Sequence, residues 1–309
     1  MCIENTGLNE KQTRMTKDIR DKSYISHEDI IELNFIRKPG IYVFRKYHKQ
    51  GLRSQIMEVL DPDDVIKQNK GETIKVILFF PWAKPLKMLR IFRTKFDSIN
   101  DVFEETRKLK IIEKYLPPDS YAKSDEFIVD YIKNGKRDFI LCGLQEYVEG
   151  EALNPWDLIN KNILADLFTN MKAKKQNALE MNTSQLIKRF KRKAENFIES
   201  VKKMILEANY VPDLAGVENL LITRMGNIKL VDINNISKVS FSPRISLDDK
   251  GYPVCDKSVE AISILEQKLM DKPIDKTEKI YRTFLAPQRM KEVKGLEEKF
   301  HRSLKLMSS

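Results

Sequence analysis

The chain has 309 residues, 41% hydrophobic and 32% charged, and its 55 Lys and Arg against 45 Asp and Glu give a formal net charge of +10. That hydrophobic share can bury a sizeable core, and the aromatic content excludes a mostly unfolded chain, as the composition excludes collagen, coiled-coil arrays and disulfide scaffolds. The basic balance admits nucleic acid, an acidic membrane surface or a phosphorylated ligand as partner.

Residues 1–37 read as a polar leader, loosely held through residue 25. A short helix closes it, capped by Ser26 and Asp29 ahead of Ile30, Ile31 and Leu33. The first twenty residues lack the apolar core of a secretory signal. Cys2, Cys142 and Cys255 fit neither a disulfide framework nor a zinc cluster, so a cytoplasmic protein is expected, with Cys142 and Cys255 as inert core thiols. From residue 38 to about 96 short β-type runs follow at 41–44, 55–60, 73–80 and 86–92, with turn signals at Gly51, Asp61-Pro62, Gly71 and residues 81–85. The longest apolar run, residues 76–83, is eight residues long, against the ~20 that cross a bilayer, so no membrane span is expected. Trp82 and Trp156 lie beside prolines in turns and are expected to serve packing.

A helix is predicted over 100–115, ended by Pro117 and Pro118. Val102, Leu109, Ile112 and Leu116 form its apolar stripe. Glu105 falls on the same face, so it either sits at the rim or meets a cation. Strands at 126–132 and 139–148 are joined by a turn at Asn134-Gly135. Beyond Gly150 the pattern is helical near 157–172, 184–208 and 256–271, interrupted by a strand pair at 219–223 and 228–233 around Met225, Gly226 and Asn227. From Pro287 onward alternating Lys and Glu read as a solvated surface helix. Residues 172–203 hold ten Lys and Arg against three Glu; Leu186, Phe190, Phe197, Val201 and Met204 recur there at helical spacing, so these cations are expected on the wet face of an amphipathic helix. The three histidines lie far apart and support neither a metal cluster nor a catalytic triad. The segregation of strands and helices predicts an α+β protein in two lobes, a small antiparallel β-rich lobe with one helix at 38–148 and a mainly helical lobe carrying a hairpin at 149–309.

The most specific stretch is 209–235, NYVPDLAGVENLLITRMGNIKLVDINN. A polar loop presents Asp213 and Asn219, a hairpin follows, and its second strand delivers Asp232. Two carboxylates and an amide around one hairpin can hold a hard cation through oxygen and accept a proton from an attacking hydroxyl. This segment resembles the catalytic core of the protein-kinase-like superfamily, in which an Asp base precedes a metal-binding Asn, a hairpin and a second metal-binding Asp. The resemblance implies a two-lobed fold, ATP and Mg2+ as cofactors with nucleotide between the lobes, Asp213 as catalytic base, and Asn219 and Asp232 as metal ligands. It further implies that LQEYVEGEAL (144–153) is the strand-to-hinge run, with Gln145 as gatekeeper and the backbone of Glu146, Tyr147 and Val148 holding adenine. Glu105 would brace a strand cation, Arg90 or as second choice Lys87, that meets the phosphates. Asp256 resembles the family's buried Asp at a structural helix, although the residues around it favour an N-cap.

By order of elements the resemblance covers roughly residues 70–270, with three departures. Asp213 and Asn219 are six positions apart where the family pattern has five, Asp232 is followed by Ile233-Asn234-Asn235, and no glycine-rich phosphate loop precedes it. The expected function is therefore an ATP- and magnesium-dependent phosphotransferase acting on a hydroxyl of a protein or small molecule. The alternatives are a pseudokinase acting as a nucleotide-binding or regulatory module and, least favoured, a nucleic-acid-binding protein using its basic 172–203 region.

Overall fold

A computed structural model describes residues 18–308, apart from 34–35, 37–39, 49–52, 134–135 and 174–180. The leader through residue 17 with Cys2, the turns expected at Gly51 and Asn134-Gly135, and Lys174 and Lys175 lie outside the described residues. The protein is mixed α+β, with a sheet antiparallel where β1 (Val43–Lys46) meets β2 (Ser54–Leu60) and where β2 meets β5 (Lys87–Phe92). No helix among the described residues is long and apolar enough to cross a membrane. The chain divides into two compact units, residues 1–99 with 125–145 and residues 100–124 with 146–309.

The first unit is built on a five-stranded sheet in the order β1-β2-β5-β7-β6, where β6 is Ser124–Lys133 and β7 is Lys136–Glu146. One core gathers Met57, Leu89, Ile91, Val129, Ile140 and Cys142 with Ile19, Ile25, Ile30 and Leu33. The end of the leader is therefore not loose from residue 18 onward. Arg20 is buried and donates to Asp18 and Asp138, while Gln55 donates to the Lys22 carbonyl at 2.6 Å. Ser26 and Asp29 form the expected capping box for α1 (His27–Ile31). Asp61-Pro62 opens a helix rather than a turn. The Asp61 carboxylate accepts from the Asp63 N–H at 2.8 Å, Pro62 is the first residue of α2 (Pro62–Lys70), and Gly71 closes it at φ +77°. No residue of α2 is buried. Burial pushes both the Cys142 and Cys255 thiols up to about 12, as inert core cysteines require.

The second unit forms around α5 (Thr183–Ala208), whose Leu186, Phe190, Phe197, Val201 and Met204 are all buried. Asn182 and Gln185 cap it reciprocally. Leu109 and Ile112 of α3 (Ile99–Tyr115), with Leu116, enter the same core. Several of the basic residues expected on a wet face are engaged. Lys202 is buried between Glu266 and Glu278, and Lys193 meets Asp119 at 2.6 Å.

Asp256 lies inside α6 (Val254–Met270), behind Pro253 at the cap position, so it caps nothing. It is buried and gripped by Arg289 of α8 (Pro287–Ser308), Nε on one carboxylate oxygen and Nη2 on the other at 3.1 Å. Arg289 also donates to the Ser242 carbonyl at 2.7 Å and stacks 4.6 Å from the Phe284 ring centroid. The C-terminal helix is thus anchored through buried Arg289 and Val293 and is not solvated all round. Arg289→Ala leaves the Asp256 carboxylate buried without its partner and is expected to lower stability by about 3–5 kcal/mol in urea unfolding. A loss below ~1 kcal/mol would contradict the pairing.

Candidate functional site

Two short strand pairings assemble the site. β9 (Tyr210–Pro212) runs antiparallel to β12 (Ile236–Lys238), with Pro212 opposite Ile236, so Asp213 begins where Asn235 ends. The Asp213 N–H donates to the Asn235 carbonyl at 2.8 Å. β10 (Leu220–Ile222) pairs with β11 (Ile228–Leu230), closed through Thr223 and Gly226 as the Met225-Gly226-Asn227 signal predicts. The Val231 N–H donates to the Asn219 carbonyl at 2.8 Å, which places Asp232 immediately beyond the base of that hairpin. Backbone pairing thus brings Asp213 to Asn235 and Asn219 to Val231, with the five residues between 213 and 219 folded inside.

That loop is held from within. Oδ1 of Asp213 accepts the N–H groups of Ala215 at 2.9 Å and Gly216 at 3.1 Å, and Oδ2 accepts the Asn235 amide at 2.8 Å. The Asn219 amide donates to the Asp213 carbonyl at 3.0 Å. A side chain on Gly216 would put its Cβ 2.3 Å from Asn219 Nδ2, so this position must be glycine for the amide to lie across the loop. From below, the buried Ser258 hydroxyl of α6 accepts the Leu214 N–H at 3.1 Å. The supporting contact from that helix thus comes from Ser258.

Asp213 is only 8% exposed. Burial first, and then the negative charge of Asp232, push its carboxyl up to about 6, against the opposing pull of the Ala215 and Gly216 N–H groups. Such a group is ionised at neutral pH yet basic enough to take a proton. Tyr252 lies within electrostatic reach. Burial, the Glu297 carboxylate that accepts its hydroxyl at 3.0 Å, and the Asp213 charge all hold its proton on.

Among the described residues no three or more His, Cys, Asp or Glu side chains gather as a metal centre. The oxygen set that a hard cation would meet is instead two carboxylates with neighbouring amides, the chemistry magnesium accepts. Asn234, 6% exposed, has neither amide atom hydrogen-bonded, and Asn235 Oδ1 is also buried without a partner. Asn235 lies against Asp213, and buried amide atoms left unpaired there fit a site that receives ligand or water atoms. Tyr252, Gly216, Ser258, Asn234 and Asn235 were not singled out in the sequence. The run Ile233-Asn234-Asn235 registered only as a departure from the family pattern.

The other expected site residues take these places. Arg90 is buried on β5 and donates to Gln145 Oε1 at 3.1 Å, and Lys87 begins the same strand. Glu105 on α3 pairs with Lys108 one turn later at 2.6 Å. The Glu146 N–H donates to the Lys123 carbonyl at 2.8 Å, while its carboxylate accepts the Lys123 N–H at 3.2 Å and pairs with Lys229. Tyr147 is exposed and Val148 half-buried.

Gly216→Ala is expected to expel the Asn219 amide from its place across the loop and to cost about 1–3 kcal/mol in urea unfolding. A variant as stable as the wild type would show that the loop is not packed this way. No protein-family model matches the chain, and no curated protein matches it in sequence.

Proposed function

We propose that this protein is an ATP- and magnesium-dependent phosphotransferase with a two-lobed, protein-kinase-like fold, acting on a hydroxyl of a protein Ser or Thr or of a small molecule. The observation that carries the proposal is the Asp213 carboxyl, pushed up to about 6 by its burial and by Asp232 and fixed in orientation by three donors. In the proposed reaction the acceptor hydroxyl oxygen forms the bond to the γ-phosphorus, the bond from that phosphorus to the bridging oxygen breaks, ADP departs, and the hydroxyl proton passes to Asp213. Asp232 and the Asn219 amide oxygen would hold the magnesium ion, which neutralises phosphate charge when bound. The same proposal assigns Arg90 or Lys87 to the phosphates, Glu105 to bracing that cation, and the backbone of Glu146, Tyr147 and Val148 to adenine.

A pseudokinase of the same fold is the second reading, favoured by the absence of a glycine-rich loop and by the Glu105–Lys108 pair, which engages the brace locally. The nucleic-acid reading loses ground because Lys191, Lys193, Lys202 and Lys203 of the basic region all meet acidic side chains.

Thermal unfolding with ATP and magnesium separates the readings. A ligand that binds only the folded state at a hundredfold excess over its Kd adds about 2.7 kcal/mol, so Tm is expected to rise with magnesium-ATP and the rise to vanish in Asp232→Ala. Transfer from radiolabelled ATP is expected in the wild type and lost in Asp213→Asn. No shift at millimolar nucleotide would remove the enzyme reading, and a shift without transfer would leave the pseudokinase.

A further inference from the structure

The apolar run 73–80 is expected from sequence to be one continuous strand. Instead β3 (Glu72–Ile74) reverses at Lys75 and Val76 into β4 (Ile77–Phe79), with Thr73 opposite Leu78 and Ile74 opposite Ile77. The turn uses positive φ at two non-glycine residues, 52° at Lys75 and 135° at Val76, a strained choice for a β-branched side chain. The two strands form a sheet of their own. Every residue from 73 to 80 is exposed, with Val76 97% exposed at the tip, and Trp82 beyond it is 67% exposed. Trp82 therefore does not serve packing. Its ring lies 4.2 Å from the Arg45 guanidinium, which braces it at the surface. Ile66 and Leu86, on either side of it in sequence, are exposed as well.

We propose that this hairpin docks the protein on an anionic lipid surface. Successive residues of a strand point to opposite faces, so Ile77 and Phe79 stand on one side of the ribbon and Leu78 on the other, and both sides are wet. A protein partner that covers one face of a two-stranded ribbon leaves the other in water. The acyl and headgroup boundary surrounds both, and a three-residue strand of ~10 Å matches the ~5–10 Å depth of interfacial insertion. Charge selects the lipid. Residues 72–87 carry Lys75, Lys84 and Lys87 against Glu72 alone, and α2 before them places Lys67 and Lys70 in its last turn, next to the hairpin in sequence, with Asp61, Asp63 and Asp64 at its far end. Lysines around exposed Trp and Phe suit an anionic headgroup layer, and the same lysines oppose the approach of a second copy. The inference does not depend on the function proposed for Asp213.

Sedimentation of the full chain with phosphatidylcholine vesicles, with and without phosphatidylserine, tests it. The protein is expected to partition onto the phosphatidylserine vesicles. Binding should weaken about tenfold or more for each ring lost in Phe79→Ser with Phe80→Ser, and about fivefold or more for each charge changed in Lys70→Glu with Lys75→Glu. In a Trp156→Phe background the Trp82 emission is expected to shift to the blue on binding. The proposal is overturned by no partitioning of the wild type at low salt, or by partitioning that both double variants retain with Trp82 emission unmoved. It is also overturned by a dimer in solution that Phe79→Ser with Phe80→Ser dissociates, since a second copy would then be the occupant.

Discussion

A carboxylate almost wholly removed from water and set near another carboxylate stays ionised only where donors meet it, and much of the second unit around residue 213 supplies those donors. The β9–β12 pairing brings Asn235 to one oxygen of Asp213. The loop of residues 214–218 turns the Ala215 and Gly216 N–H groups onto the other. Gly216 leaves room for the Asn219 amide, and Ser258 ties the Leu214 backbone to a buried helix. That helix is fixed in turn by Asp256 and Arg289, whose pairing holds the C-terminal helix against it. The carboxyl so held retains a measure of basicity because burial, and then Asp232, oppose its ionisation while the N–H groups favour it.

The parts of this arrangement that were legible in the sequence are those in which one residue type repeats at a fixed interval or sits in a distinctive order. The stripe of α5, the apolar face of α3, the capping box at Ser26 and the hairpin around Gly226 all have that character, and so does the order Asp213, Asn219, Asp232. The parts that were not legible depend on contacts between residues distant in sequence. Ser258 is an ordinary helix residue until Leu214 is found above it, and Asp256 resembles an N-cap until Arg289 arrives from more than thirty positions away. The three-residue strands β9 and β12 are too short to carry a pattern, yet they are what brings Asn235 to Asp213.

In the first unit the misleading signals came from turns. Asp61 followed by Pro62 serves a helix start as readily as a bend, and the helix behind it buries none of its residues. The reversal at Lys75 and Val76 contains no glycine, asparagine or proline, so an apolar run that folds back on itself reads as one strand. Side chains that a continuous strand would have buried are left facing water, and Val76 occupies a conformation that its own branching disfavours.

The electrostatic coupling of the two carboxylates is the claim on which the reading of the site rests, and a carbon-13 NMR titration of the Asp213 carboxyl measures it directly. A midpoint of about 6 in the wild type, moving down toward the ordinary value of 3.8 when Asp232→Asn removes the neighbouring charge, is the result expected. A wild-type midpoint at or below 3.8, or one that Asp232→Asn leaves unmoved, would contradict it.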